Sequence, residues 1–165
     1  MHQAIHLTCR AFAAMALVGA STLASAQVAK LAPQGSATYV TYYNTQALGA
    51  LDMGEFGAGT VLQFSGITRS SDGAKAFDNM AVRCVAYNEL QGGKLQASGS
   101  CVEIDADSDK VFTTFAAGTH TIVGGTGKYK GISGSAPFAV VSRLPSPGTG
   151  MGALAVEHRV SWQFK

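Results

Sequence analysis

The sequence predicts an all-β domain, and within that class an eight-stranded antiparallel barrel forming a single domain behind a signal peptide. Three observations carry the prediction. Past residue 26, no stretch of useful length spaces its apolar residues as a helix would. Eight short segments rich in β-branched and aromatic residues are separated by glycines and polar turns. The last of them, residues 156–164, alternates cleanly. Val156, His158, Val160, Trp162 and Phe164 share one face, and Glu157, Arg159, Ser161 and Gln163 the other. Eight strands suit a barrel closed on itself, its interior filled or holding one small ligand. Two packed sheets are the competing arrangement. No internal repeat points to a propeller or solenoid.

Residues 1–26 read as a secretory signal peptide. Arg10 supplies the positive start, residues 11–20 (AFAAMALVGA) the apolar run, and Ala24-Ser25-Ala26 the small-residue cleavage site. The run is short for a bilayer span, which argues against a retained anchor. No cysteine follows it closely, which argues against a lipid anchor. The barrel domain is then 27–165, and Cys9 and Arg10 leave with the leader. The whole chain carries 12 Lys and Arg against 10 Asp and Glu. A balance this even offers no electrostatic footprint for nucleic acid. No second apolar run is long enough for a membrane helix. The expected location is secreted or periplasmic.

Residues 37–43 (ATYVTYY) form the first expected strand and residues 60–68 (TVLQFSGIT) the second. A glycine-dotted connection, 44–59, lies between them, and a polar one, 69–79, follows. Residues 80–90 and 94–104 make a hairpin joined by Gly92-Gly93, a favoured two-residue turn. That turn sets Leu90 opposite Leu95 and Cys84 directly opposite Cys101. Counted from the Gln91–Lys94 pair, the cysteine rung is a non-hydrogen-bonded one. Side chains come closest there, near the spacing a disulfide needs. Export places the two thiols where a bridge persists, so a Cys84–Cys101 disulfide is predicted. The more apolar face (Met80, Val82, Cys84, Ala86, Leu90) is expected to point into the barrel. The reverse would bury Arg83, Tyr87 and Glu89.

Residues 109–116 are the fifth strand. The turn before it, Asp105-Ala-Asp-Ser-Asp109, begins like a calcium loop. Lys110 stands where that loop needs glycine and Ala116 where it needs glutamate. It reads as a polar turn, and no metal site is expected.

Residues 118–138 (GTHTIVGGTGKYKGISGSAPF) read as a strand, 119–123, a corner built on glycines, and the next strand, 133–141. Lys128, Tyr129 and Lys130 are enough for one helical turn, and the two lysines read as solvated charges. A P-loop would need glycine at Ile122 and Ser or Thr at Tyr129. A dinucleotide fingerprint would need a crossover helix downstream, and none follows. No cofactor is expected.

The corner GGTGKYKGISG resembles the one shared by allene oxide cyclase-like and dirigent-like proteins. Their pattern runs Gly-Gly-Thr-Gly, a basic residue, an aromatic, then glycine. Residues 99–112 (GSCVEIDADSDKVF) are similar to the hairpin that precedes this corner in bacterial secreted members. The similarity covers about residues 84–138. It implies a small, calycin-like, eight-stranded barrel, often trimeric, with a cavity for an apolar ligand. The cyclases' N-terminal acidic and asparagine framework has no match in 27–62, and the dirigent-type arginine and aspartate set has none either. Fold alone does not fix an activity.

Residues 142–155 (SRLPSPGTGMGALA) form a long connection with two prolines, read as a lid over one barrel mouth or as a mobile surface loop. Two histidines remain in the domain, His120 and His158, neither in a metal-ligand spacing. Each lies on an apolar face, where a histidine is usually a hydrogen-bonded core residue. The sharper expectation is that Tyr39, His120, His158 and Trp162 line a cavity that is mostly apolar with a few placed polar groups. No nucleophile elbow is present, and no carboxylate pair can be placed across the fold. Three functions follow: a binder of a small apolar ligand or partner, an isomerase or cyclase acting on a lipid-like or phenolic substrate, or a structural protein with a filled barrel. A cavity separates the third from the first two.

Overall fold

The computed structural model describes residues 31–146 and 148–165, so the leader reading for 1–26 lies outside the described residues. Eight strands follow in chain order: β1 (Gln34–Asp52), β2 (Ala58–Ser70), β3 (Ala81–Gln91), β4 (Lys94–Ile104), β5 (Lys110–Ala116), β6 (Thr119–Gly125), β7 (Ile132–Leu144) and β8 (Met151–Phe164). Each pairs antiparallel with the next, and β8 returns to β1 to close the barrel. Closure excludes the two-sheet arrangement.

Three strands are longer than their sequence pattern suggests. β1 runs on to Asp52, through residues read as a connection. It is paired on one side with β2 as far as Asp52↔Ala58 and on the other with β8 as far as Gln46↔Met151. Two ladders hold it as far as Gln46, and the β2 ladder alone holds the part beyond, which has little strand preference of its own. A register shift between Ala47 and Gly49 takes up the extra residue. The connection read as a lid or a mobile surface loop is likewise largely a hairpin: β7 and β8 pair out to Leu144↔Ala153.

The central hairpin follows its glycines. Gly92 and Gly93 take φ of 56° and 74°, the left-handed pair a two-residue turn requires. Leu90 faces Leu95, and Cys84 faces Cys101 in a disulfide with Cα atoms 4.0 Å apart. A bridge closing a loop of this size stabilises by about 3 kcal/mol. Val82, Cys84 and Ala86 are buried, whereas Arg83, Val85 and Tyr87 are exposed. The cysteine face therefore points inward, and Arg83 hydrogen-bonds Gln63 on the outer wall at 2.9 Å.

An up-and-down meander sends alternate turns to opposite ends. The end holding the β2–β3 connection is closed. There Phe77, only 2% exposed, enters the barrel and meets Tyr39, Trp162 and Tyr129 at ring separations of 5.8, 5.5 and 6.3 Å. Its φ of 58° is costly for a bulky residue. The cost is held by its surroundings. Arg69 donates to Asn79, the Ser70 N–H to Asp78, and the Met80 N–H to Thr68 Oγ1. Met80, Val111, Ile132 and Val160 complete this packed half.

The glycine corner locks the same end. Gly127 sits so close to Asp109 that a Cβ there would fall 1.7 Å from its Oδ1, and its φ is 51°. The carboxylate of Asp109 accepts the Lys128 backbone N–H at 3.0 Å. The Lys128 ammonium lies 2.7 Å from Asp105 and 2.5 Å from Asp107. Lys128 is thus not a solvated charge. Two aspartates of the calcium-like turn, Asp105 and Asp107, are paired with a lysine brought to them by the corner.

Candidate functional site

The other half of the barrel holds a cavity of about 290 Å³. Its walls are Leu62, Phe64, Phe115, Phe138 and Leu154, with the Cys84–Cys101 bridge set among them. Its floor is His120 and His158. Strand alternation explains the set. On β8 the inward positions include Leu154, Val156 and His158, with Val160 and Trp162 deeper. Register then brings neighbours level: His158 faces Phe138 on β7 and Tyr39 on β1, and His120 faces Phe115 on β5.

The four residues picked from sequence fall on one aromatic column. Trp162 meets Phe77, Phe77 stacks on Tyr39 at 5.8 Å, Tyr39 stacks on His158 at 4.8 Å, and His158 meets His120 edge-on at 5.2 Å. Only the two histidines reach the cavity lining. Trp162 lies four residues beyond His158, roughly 13 Å along a strand, and its Nε1–H donates to the Ala32 carbonyl at 3.1 Å. Tyr39 is covered by the ring of His158. Both belong to the packed half.

The floor is polar but uncharged. Nδ1 of His120 shares a hydrogen with Thr113 Oγ1 at 3.0 Å. Neither ring nitrogen of His158 has a hydrogen-bond partner among the described residues, although the residue is only 2% exposed. Burial pushes His120 down to about 4. Burial, then repulsion from His120, pushes His158 down to about 3. Both imidazoles are neutral at pH 7.

Beneath the floor lies Glu103, 4% exposed. Burial drives its carboxyl up to about 7, against a hydrogen bond with Tyr39 that lowers it. Burial first, and Glu103 second, raise Tyr39 well above its ordinary value. Sequence reading passed over Glu103, yet a signal existed: it is two residues from Cys101 and so shares the inward face. Thr113 is legible in the same way, between Val111 and Phe115 on β5. Among the described residues no group of three or more His, Cys, Asp or Glu could hold a metal ion. No described helix is long and apolar enough to cross a membrane.

No family model matches the chain, and no curated protein does. Among solved structures it is similar to the pterocarpan synthase dirigent protein GePTS1, at 12% identity and a TM-score of 0.48, over 82% of this chain and 88% of that one. It is also similar to the pterocarpan synthase dirigent protein PsPTS1, at 14% identity and a TM-score of 0.45, over 79% and 96%. Both are dirigent proteins, a group that the glycine corner also resembles. The closed barrel itself rests on this chain's own strand register.

Proposed function

We propose that the protein binds one small, largely apolar molecule in the open half of the barrel, without a demonstrated reaction. The observation that carries this is the 290 Å³ cavity, walled by aromatic and aliphatic side chains above two imidazoles. Ligand pockets run from about 300 to 1,000 Å³ and pair apolar walls with a few polar groups. This one is at the small end, which suits a single compact molecule rather than a long chain. The cavity also argues against a barrel filled throughout. A disulfide among the cavity walls supports a secreted or periplasmic location, because such bridges persist in oxidising compartments.

A second reading draws on the paired imidazoles at the floor. By holding a flexible substrate folded over them, the barrel would act as an isomerase or cyclase.

Native mass spectrometry of protein purified from its source tests the binding reading. Ala97 lines the cavity and is half-buried, so Ala97→Trp fills the space from the mouth. The expected result is a bound small molecule on the wild type that Ala97→Trp lacks. The bare polypeptide mass for both, or the same adduct on both, counts against the cavity as the site.

A further inference from the structure

Resting on the ligand site just proposed, we infer the chemical class of its occupant. It is a compact organic anion whose apolar body fills the cavity and whose single carboxylate is held at the mouth by Arg143.

The backbone turns Arg143 towards the cavity. On β7, Phe138 and Val140 line it, opposite His158 and Val156 of β8. Strict alternation from these two would send residue 142 inward and Arg143 to the outer wall. Instead the register shifts between Val140 and Ser142, and Val141 becomes the extra residue of a bulge. Arg143 then pairs with Leu154, and paired residues share a face of the sheet. Leu154 walls the cavity, and Arg143 lines it too. Bulges at barrel rims re-aim side chains in this way.

The guanidinium brought there has no acid to meet. The ion pairs among the described residues belong to Lys128 and Arg159. All 10 Asp and Glu of the chain lie among the described residues, so no further carboxylate side chain stands in reserve. None of them lines the cavity, and Arg143 is the one charged side chain that does. A guanidinium offers a planar fork of N–H donors that matches a carboxylate two bonds at a time.

The head belongs at the mouth and not at the floor. Arg143 is exposed, so a carboxylate bound to it keeps part of its water. At the floor a carboxylate would lose its water and find no cation. Length agrees with this placement. From Leu154, level with Arg143, to His158 at the floor is four residues of β8, roughly 13 Å. That depth admits a fused-ring acid lying head-outward.

Calorimetry on the full chain at pH 7 tests this with 2-naphthoate and 2-naphthamide, its neutral counterpart of the same shape. We expect the wild type to bind 2-naphthoate about fivefold tighter, the scale of an exposed ion pair. High salt should shrink that margin and leave the amide unaffected, a readout that needs no variant. Arg143→Met keeps an apolar stem at an exposed position. It should bind the amide as the wild type does and lose the preference for the anion. Arg143→Lys, which keeps the charge, should retain most of the preference. Equal affinities in the wild type, or a tighter amide, would make Arg143 an ordinary surface charge. Either result would overturn the inference and leave the ligand site standing. A preference that survives Arg143→Met would overturn the assignment of the head to Arg143. Binding of neither compound up to its solubility would remove the ligand site and the inference together.

Discussion

Tyr39 and His158 stack face to face, 4.8 Å between ring centres, because β1 and β8 close the barrel in the register that sets them opposite. The seam of the barrel therefore also divides it. Below Tyr39 the interior is packed around Phe77; above His158 it is open.

The two unpartnered nitrogens of His158 make a stability prediction. His158→Phe preserves the stacked ring and removes the orphaned polar atoms, and the cavity beside it has room for the larger ring. Urea unfolding at pH 7 should show the variant more stable by about 1 kcal/mol. A loss of stability would mean the imidazole has a partner after all. The pH profile should change too. The folded values of His120 and His158, about 4 and 3, lie below their ordinary 6.5. Stability from keeping them neutral is therefore full above about pH 6.5 and is lost as pH falls through those folded values. His158→Phe should unfold less steeply in acid than the wild type.

Glu103 acts in the opposite sense. Its folded value, about 7, lies above its ordinary 4.5. Its contribution is full below about pH 4.5 and is lost as pH rises through 7. Glu103→Gln, which keeps the shape and a hydrogen-bonding group for Tyr39, should stabilise the barrel at pH 8 by up to about 3 kcal/mol. The gain should shrink towards zero by pH 5. Chemical denaturation at the two pH values reads the difference, and a gain independent of pH would show that burial does not shift the titration of Glu103.

Lys128 ties down the far end by pairing with both Asp105 and Asp107. Burial alone would raise Asp105, but the hydrogen bonds from Lys128 and from two backbone N–H groups outweigh it and hold the carboxyl below its usual value. Lys128→Met should cost about 1–2 kcal/mol, since hydrogen bonds to charged groups are worth about 1.5–3 kcal/mol and solvent at half-exposed Asp107 reduces this. The loss should diminish at high salt, which screens the two aspartates left behind. A variant as stable as the wild type would make the glycine corner a matter of backbone geometry alone.

How much of this was legible in the chain can be said residue by residue. Gly92-Gly93 set a register, and the register brought Cys84 to Cys101; the more apolar make-up of the cysteine face turned it inward. Alternation on β8 marked His158 as an interior residue. What alternation cannot give is depth: it placed Trp162 and His158 on one face without saying that a packed layer separates Trp162 from the cavity. Phe77 was hidden because it sits in a polar connection and takes a backbone conformation that no local signal announces. The extended ends of β1, β7 and β8 were hidden because pairing with neighbouring strands, not propensity, makes them strands. Lys128 read as solvated since its partners, Asp105 and Asp107, are 21 or more residues away in sequence and near only once β5 and β6 have folded.

The central claim is that the open half of the barrel takes an apolar guest. Titration of the wild type with the fluorescent probe N-phenyl-1-naphthylamine, alongside Ala97→Trp, tests it most directly. The account predicts a saturable rise in emission with one probe per barrel for the wild type and none for the filled variant. No saturable rise, or the same rise in both proteins, would contradict it.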